Sequence, residues 1–209
     1  LEDIRVVLAE ANQAIQTLDK YRSVLDQALT NLSALEFEDL VTISDVVTVI
    51  QRCERVLKIQ REIEKYISEL GNEGRLIKMQ LDELVTNVEE EAVLIIKDYL
   101  DENKETSAEE LLDEITDLTS EEMLSMNTIS KALGYGGSVN DLDQSISPRG
   151  YRILRKIPRL PMPVIENLVE HYGDLKTIIN ASTEELDEVD GIGSVRAQAI
   201  KDGLRRLRD

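Results

Sequence analysis

An apolar seam with helical spacing runs through the first hundred residues and restricts them to packed helices. Ile4, Leu8, Ala11, Ile15, Leu18, Leu25, Leu29 and Leu32 recur at steps of three and four, with Tyr21 standing in where Arg22 interrupts. Ile43, Val46, Ile50, Cys53, Leu57, Ile63, Ile67 and Leu70 repeat the pattern and stop at Gly71-Asn72-Glu73-Gly74, where glycine supplies a helix end. A third run holds Ile77, Leu81, Leu84, Val88, Ala92, Ile95 and Tyr99. No proline and no strand-like alternation breaks these runs. Stripes of this kind leave water only by packing on one another, so residues 1–100 are expected to form an elongated three-helix spine in an all-α chain.

Residues 101–147 differ in composition. Asp101-Glu102-Asn103-Lys104-Glu105-Thr106 is a polar break, and Ser107 followed by Glu109 and Glu110 reads as a helix N-cap with acids in the first turn. Short linker helices are expected at 108–115 and at 121–133, the latter capped by Ser120, followed by a loop at Gly134-Tyr135-Gly136-Gly137-Ser138 and a connection over 139–147. The glycine-rich loop has neither a preceding strand nor a following Lys-Ser/Thr pair, so it does not read as a nucleotide cradle.

Residues 148–209 centre on Val189-Asp190-Gly191-Ile192-Gly193-Ser194, set between helix-like runs at 182–188 and 194–207. Glycines allow positive φ and close backbone approach, and the amides opening the second helix favour an anion such as phosphate. A corner glycine can equally serve only to end the first helix. The phosphate reading gains from an upstream echo: a helix at 149–156, a turn at Ile157-Pro158-Arg159-Leu160-Pro161, and a helix at 162–172. Ile153, Leu154, Ile157, Val164, Ile165 and Leu168 bracket the first turn as Leu186, Val189, Ile192, Val195, Ala199 and Ile200 bracket the second. The pair is similar to a tandem helix-hairpin-helix domain, which implies DNA binding without base specificity. Prolines in the first copy lower the number of amides it can present.

The chain carries a formal charge of −18, which repels nucleic acid as a whole. Residues 1–147 hold 13 bases and 32 acids, whereas 148–209 hold 11 and 10, so the C-terminal part is the expected docking face. Arg149, Arg152, Arg155, Lys156 and Arg159 surround the first turn; Arg196, Lys201, Arg205, Arg206 and Arg208 follow the second. The expected phosphate contacts are the amides of Gly191, Ile192 and Gly193 with Ser194 opening the helix. The Arg159-Leu160 turn is expected to contact the opposite strand, and Arg155, Lys156, Arg196 and Lys201 to add attraction. No catalytic, cofactor or metal residue is expected: His171 is the only histidine and suits a helix end, Cys53 suits the core, and Glu89, Glu90 and Glu91 read as a solvated face. With no Trp and Phe37 as the one Phe, base stacking is not expected to hold single strands. No run is long enough to span a bilayer, and the lone cysteine fits a reducing cytoplasm. The start at Leu1, inside a helical pattern, suggests a piece of a longer protein.

The order of parts and several longer peptides carry a more specific resemblance. These are Ala11-Asn12-Gln13-Ala14-Ile15-Gln16-Thr17-Leu18, Asn31-Leu32-Ser33-Ala34-Leu35-Glu36-Phe37-Glu38-Asp39, Ile67-Ser68-Glu69-Leu70-Gly71-Asn72-Glu73-Gly74-Arg75-Leu76 and Met79-Gln80-Leu81-Asp82-Glu83-Leu84-Val85, with Arg155 to Pro161 and Val189 to Gly193. Together they resemble the bacterial DNA integrity scanning (DisA) family. The resemblance implies a spine and DNA-binding region preceded in the whole protein by a diadenylate cyclase domain. That domain would use ATP and a divalent metal to make cyclic di-AMP. It further implies a nucleoid-associated octamer whose cyclase is suppressed by branched DNA such as Holliday junctions. The cyclase triplets Asp-Gly-Ala and Arg-His-Arg do not occur here, so this chain is expected to be inactive as a cyclase. A helical protein-interaction scaffold with little DNA affinity is the alternative.

Overall fold

In the computed structural model, residues 3–209 are described; Leu1, where the chain opens, lies outside them. Helices α1 (Ile4–Glu38) and α2 (Ile43–Leu70) lie along each other as the long axis of the spine. At about 1.5 Å per residue, α1 extends roughly 50 Å. It stops where Asp39 turns left-handed at φ 57°, and three residues later Thr42 opens α2 in a capping box with Asp45. The seam that packs is Val7, Ala11, Ile15, Leu18, Leu25, Leu29 and Leu32, with Ile4 left 51% exposed. Cys53 is buried among these residues, and burial pushes its thiol up to about 12.

The expected third spine helix is two helices. A 3-10 turn at Gly71–Gly74 leads into α3 (Arg75–Val85), and α4 (Val88–Tyr99) follows a break at Asn87, φ 65°. Asparagine tolerates the left-handed region, and Thr86 bonds back to Asp82 O at 2.7 Å instead of supporting a continuing helix. Ile77 and Leu81 then pack on α1 and α2, while α4 turns to cover α2 with Val88, Ala92, Ile95 and Ile96.

The linker region contains α5 (Ala108–Thr116), α6 (Ser120–Leu124), α7 (Met126–Ala132) and the single turn α8 (Val139–Leu142). The helix expected over 121–133 is split at Ser125, and its cap is Thr119, which forms a capping box with Glu122, rather than Ser120. The connection after α8 is fixed to the spine. Thr42 and Ser145 form an isolated antiparallel bridge, with Ile43 N–H bonded to Gln144 O and Ile146 N–H to Val41 O.

The remainder forms α9 (Tyr151–Arg155), α10 (Met162–Tyr172), α11 (Leu175–Asn180), α12 (Thr183–Asp187) and α13 (Ser194–Arg208) around a second apolar core. The connector α11, capped by Asp174, joins the two hairpins and has no counterpart in the sequence reading. The fold is all-α, with no strand among the described residues.

Candidate nucleic-acid interface

Both hairpin turns adopt one backbone shape. Gly191 has φ 86° and Arg159, at the equivalent place, has φ 63°; the next residues, Ile192 and Leu160, are both buried. Arginine accepts in the first turn a conformation that glycine takes freely in the second. Ile165 and Leu168 match Ala197 and Ile200 as the core residues of the following helices. Val195 and Ala199, expected in that core, are exposed, Val195 by 84%; the true inward position is Ala197.

Around the second turn the carbonyls of Asp190 and Gly191 are occupied and most amides are free. Asn167 Nδ2 donates to Asp190 O at 3.1 Å, and Arg196 Nη1 to Gly191 O at 2.6 Å. Among the described residues, the N–H groups of Gly191, Gly193, Ser194, Val195 and Arg196 meet no acceptor. Ile192 is the exception: its N–H donates to Val189 O at 3.1 Å and its side chain fills the core, so it offers no phosphate contact. Gly193, the N-cap of α13, has φ −97° and ψ −179°, and a Cβ there would meet nothing within 4 Å. The fold does not require glycine at 193. The absence of a side chain instead leaves the adjoining amides accessible.

The first turn offers less. Pro161 and Pro163 have no N–H, and Val164 N–H donates to Pro161 O, leaving Arg159, Leu160 and Met162 as free amides. Leu160 contributes its backbone only, since its side chain is buried.

Most of the expected cationic patch is engaged in holding the molecule together. Arg149 donates to Lys97 O and Leu100 O at the end of α4. Arg152 is fully buried, bonding Glu36 at 2.5 Å and Ser33 at 2.8 Å. Arg155 pairs with Glu90 at 3.2 Å, and Lys156 faces the same acidic turn of α4. Lys201 Nζ donates to Ile179 O and Ala181 O at 2.8 Å, closing the end of α11. Arg159 is exposed, with no ion pair among the described residues, and Arg196 braces the hairpin. Glu90 and Glu91 therefore serve the joint between the two cores, where sequence suggested a solvated face. A count of basic residues cannot separate phosphate binders from those bonded to carbonyls and carboxylates across the fold.

At this joint Asp98 in α4 caps α9 from a distance, its carboxylate accepting the N–H groups of Gly150, Tyr151 and Arg152 at 3.0, 2.7 and 3.3 Å. Burial first and Glu36 second push its carboxyl up to about 7. Tyr99 donates to Glu36 at 2.6 Å. Phe37 packs on the hairpin core. His171 is exposed at the end of α10, edge-on to Tyr172.

Residues 1–142 match the family model described as the DisA bacterial checkpoint controller linker region, well over half of the chain. The chain belongs to the DisA family. Residues 163–206, which contain the second hairpin, match the helix-hairpin-helix motif. Proteins named DNA integrity scanning protein DisA are similar along the whole chain: 57% identical in Carboxydothermus hydrogenoformans, 56% in Bacillus subtilis and 55% in Clostridium botulinum. The chain spans 59% of the first of these DisA proteins and 58% of the other two. No helix among the described residues is long and apolar enough to cross a membrane.

Proposed function

We propose that this chain is the spine and DNA-binding region of a DNA integrity scanning protein, and that its second hairpin clamps a DNA backbone phosphate. The carrying observation is the polarity of that turn: Asn167 and Arg196 occupy its carbonyls, while Gly191, Gly193, Ser194, Val195 and Arg196 leave amides unpartnered beside an unobstructed Gly193. Phosphate takes up such donors at a helix N-terminus, where the dipole adds attraction. The Arg159-Leu160 turn is a weaker contact to the opposite strand. Arg196 acts by holding the turn, and Lys201 by fixing α11 against α13. These contacts read backbone and not bases, so selectivity is assigned to DNA shape, with four-way junctions preferred over duplex.

In the whole protein, DNA bound here would suppress cyclic di-AMP synthesis by a cyclase domain that carries the ATP and metal chemistry. Several copies in one oligomer would raise the effective concentration of clamps at a junction, in the cytoplasm and on the nucleoid. A protein-interaction scaffold with little DNA affinity is the second reading, favoured by the structural use of Arg149, Arg152, Arg155 and Lys201.

Fluorescence anisotropy of this chain with a four-way junction and a matched duplex, at low and physiological salt, tests the clamp. Junction-preferring binding that weakens with salt and is lost in Gly193→Val is the expected result. No binding at low salt would favour the scaffold.

A further inference from the structure

Arg155 and Lys156 stand directly before the first hairpin turn, where a second DNA backbone would pass if both hairpins engaged. The spine already occupies Arg155. Arg155 Nε donates to Glu90 Oε1 at 3.2 Å, with both side chains 48% exposed. Beside this pair lies a cleft of about 320 Å³, walled by Asn87 at the head of α4, by Glu90 and Glu91 of α4, and by Arg152, Arg155 and Lys156 of α9 and its cap. Glu91 is 3.6 Å from Arg152 Nη1. Desolvation first, and Arg152 second, hold the Lys156 ammonium below the ordinary lysine range. The acidic first turn of α4 thus places carboxylates where phosphates would meet this side of the hairpin.

We propose that Glu90 masks a second phosphate contact at the first hairpin, which a DNA backbone opens by displacing Glu90 from Arg155. The proposal rests on reading the second hairpin as a DNA clamp. Relative burial decides which ion pair yields. An exposed pair is weak and salt-screened, so a phosphate offering the same charge-assisted bond can replace the carboxylate. The Arg152–Glu36 pair, both side chains at 0% exposure, cannot be opened without leaving a buried charge unpaired. The joint therefore stays closed while its rim exchanges partners. DNA held by one backbone would engage the second hairpin alone; DNA presenting another backbone close by would also recruit Arg155.

Glu89 supplies an internal control, because it faces away into a groove with Leu57, Gln60, Arg61 and Asp113. Glu89→Gln and Glu90→Gln change net charge equally, but only the second frees Arg155. In junction-DNA titrations over a salt series, Glu90→Gln should bind about threefold to fivefold tighter than Glu89→Gln at low salt. Its log–log salt slope should be steeper by about 0.9, corresponding to one added phosphate neutralised. Arg155→Gln alone should weaken junction binding by about twofold, and combined with Glu90→Gln it should remove the gain. Equal affinities for the two Glu→Gln variants, or a gain that survives Arg155→Gln, overturn the mask. If binding by the parent ignores Gly193→Val, the clamp reading fails by itself, and the two Glu→Gln variants still decide the mask. If no variant binds DNA, both readings fall.

Discussion

Three glycines in the hairpin region do three different jobs, and only their surroundings distinguish them. Gly191 needs its positive φ of 86°. Gly203 allows α13 to approach the first hairpin, since a Cβ there would lie 2.9 Å from Ile157 Cγ1. Gly193 has ordinary extended geometry and open space. Gly193→Ala should therefore fold within about 0.5 kcal/mol of the parent, whereas Gly203→Ala should cost about 1–3 kcal/mol by overpacking, both read from urea unfolding. A comparable loss in the two variants would mean that Gly193 serves folding and would remove the argument for ligand access. Ser194→Pro is the complementary change. Proline is tolerated at the first position of a helix, so the variant should remain folded by circular dichroism while losing one free amide and junction affinity. Undiminished binding would exclude that amide from the clamp.

At the scale of elements, α9 is only Tyr151–Arg155, too short to persist without outside support. Asp98 supplies that support from α4 by accepting the amides at its start. Because the carboxyl is raised to about 7 in the fold, the native state retains a proton that the unfolded chain gives up near its ordinary pKa of 3.8. Stability from this group is therefore full below about pH 4 and is lost as pH rises towards 7. Asp98→Asn should lower Tm at about pH 5, since an amide cannot accept all these donors, and should shrink the further fall between about pH 5 and pH 8. A pH dependence identical to the parent's would show that Asp98 does not titrate in this window. Helix existence was well marked in the sequence: the stripes of α1 and α2 and the span 162–172 of α10 follow directly from apolar spacing and from prolines in the first turn. The breaks were not. Asn87 and Ser125 interrupt runs whose apolar spacing continues across them, because the chain turns there to reach a different partner.

Across the whole molecule, two apolar cores meet through a polar joint. Arg152 and Asp98 form its buried centre, and Arg149, Lys97 with Glu166, and Lys176 with Asp39 surround it. Ser147 bonds Asp39, and the bridge at Ser145 fixes the entering strand of chain. Such an attachment would carry a load from the hairpins to the spine. Arg152→Ala leaves Glu36 buried with its principal partner gone and should cost about 3–5 kcal/mol. Limited proteolysis should then cut within residues 143–148 faster than in the parent. An unchanged cleavage rate would mean that the bridge and Phe37 hold the domains without the arginine.

Residue order alone carries the helical class, the spine seam, the paired turns and the DisA resemblance. Each depends on spacing along the chain or on local backbone chemistry, and both are written in residue order. Which charges are left unpaired is set by the fold. Arg155 and Lys201 looked like phosphate ligands because they flank the turns, but their partners come from residues distant in sequence: Glu90 for the first, Ile179 and Ala181 for the second. The same holds for the amides, where Ile192 turned inward and Gly193 stayed open. A charge or an amide binds a ligand only if the fold leaves it unpaired, and pairing is a property of three-dimensional neighbours.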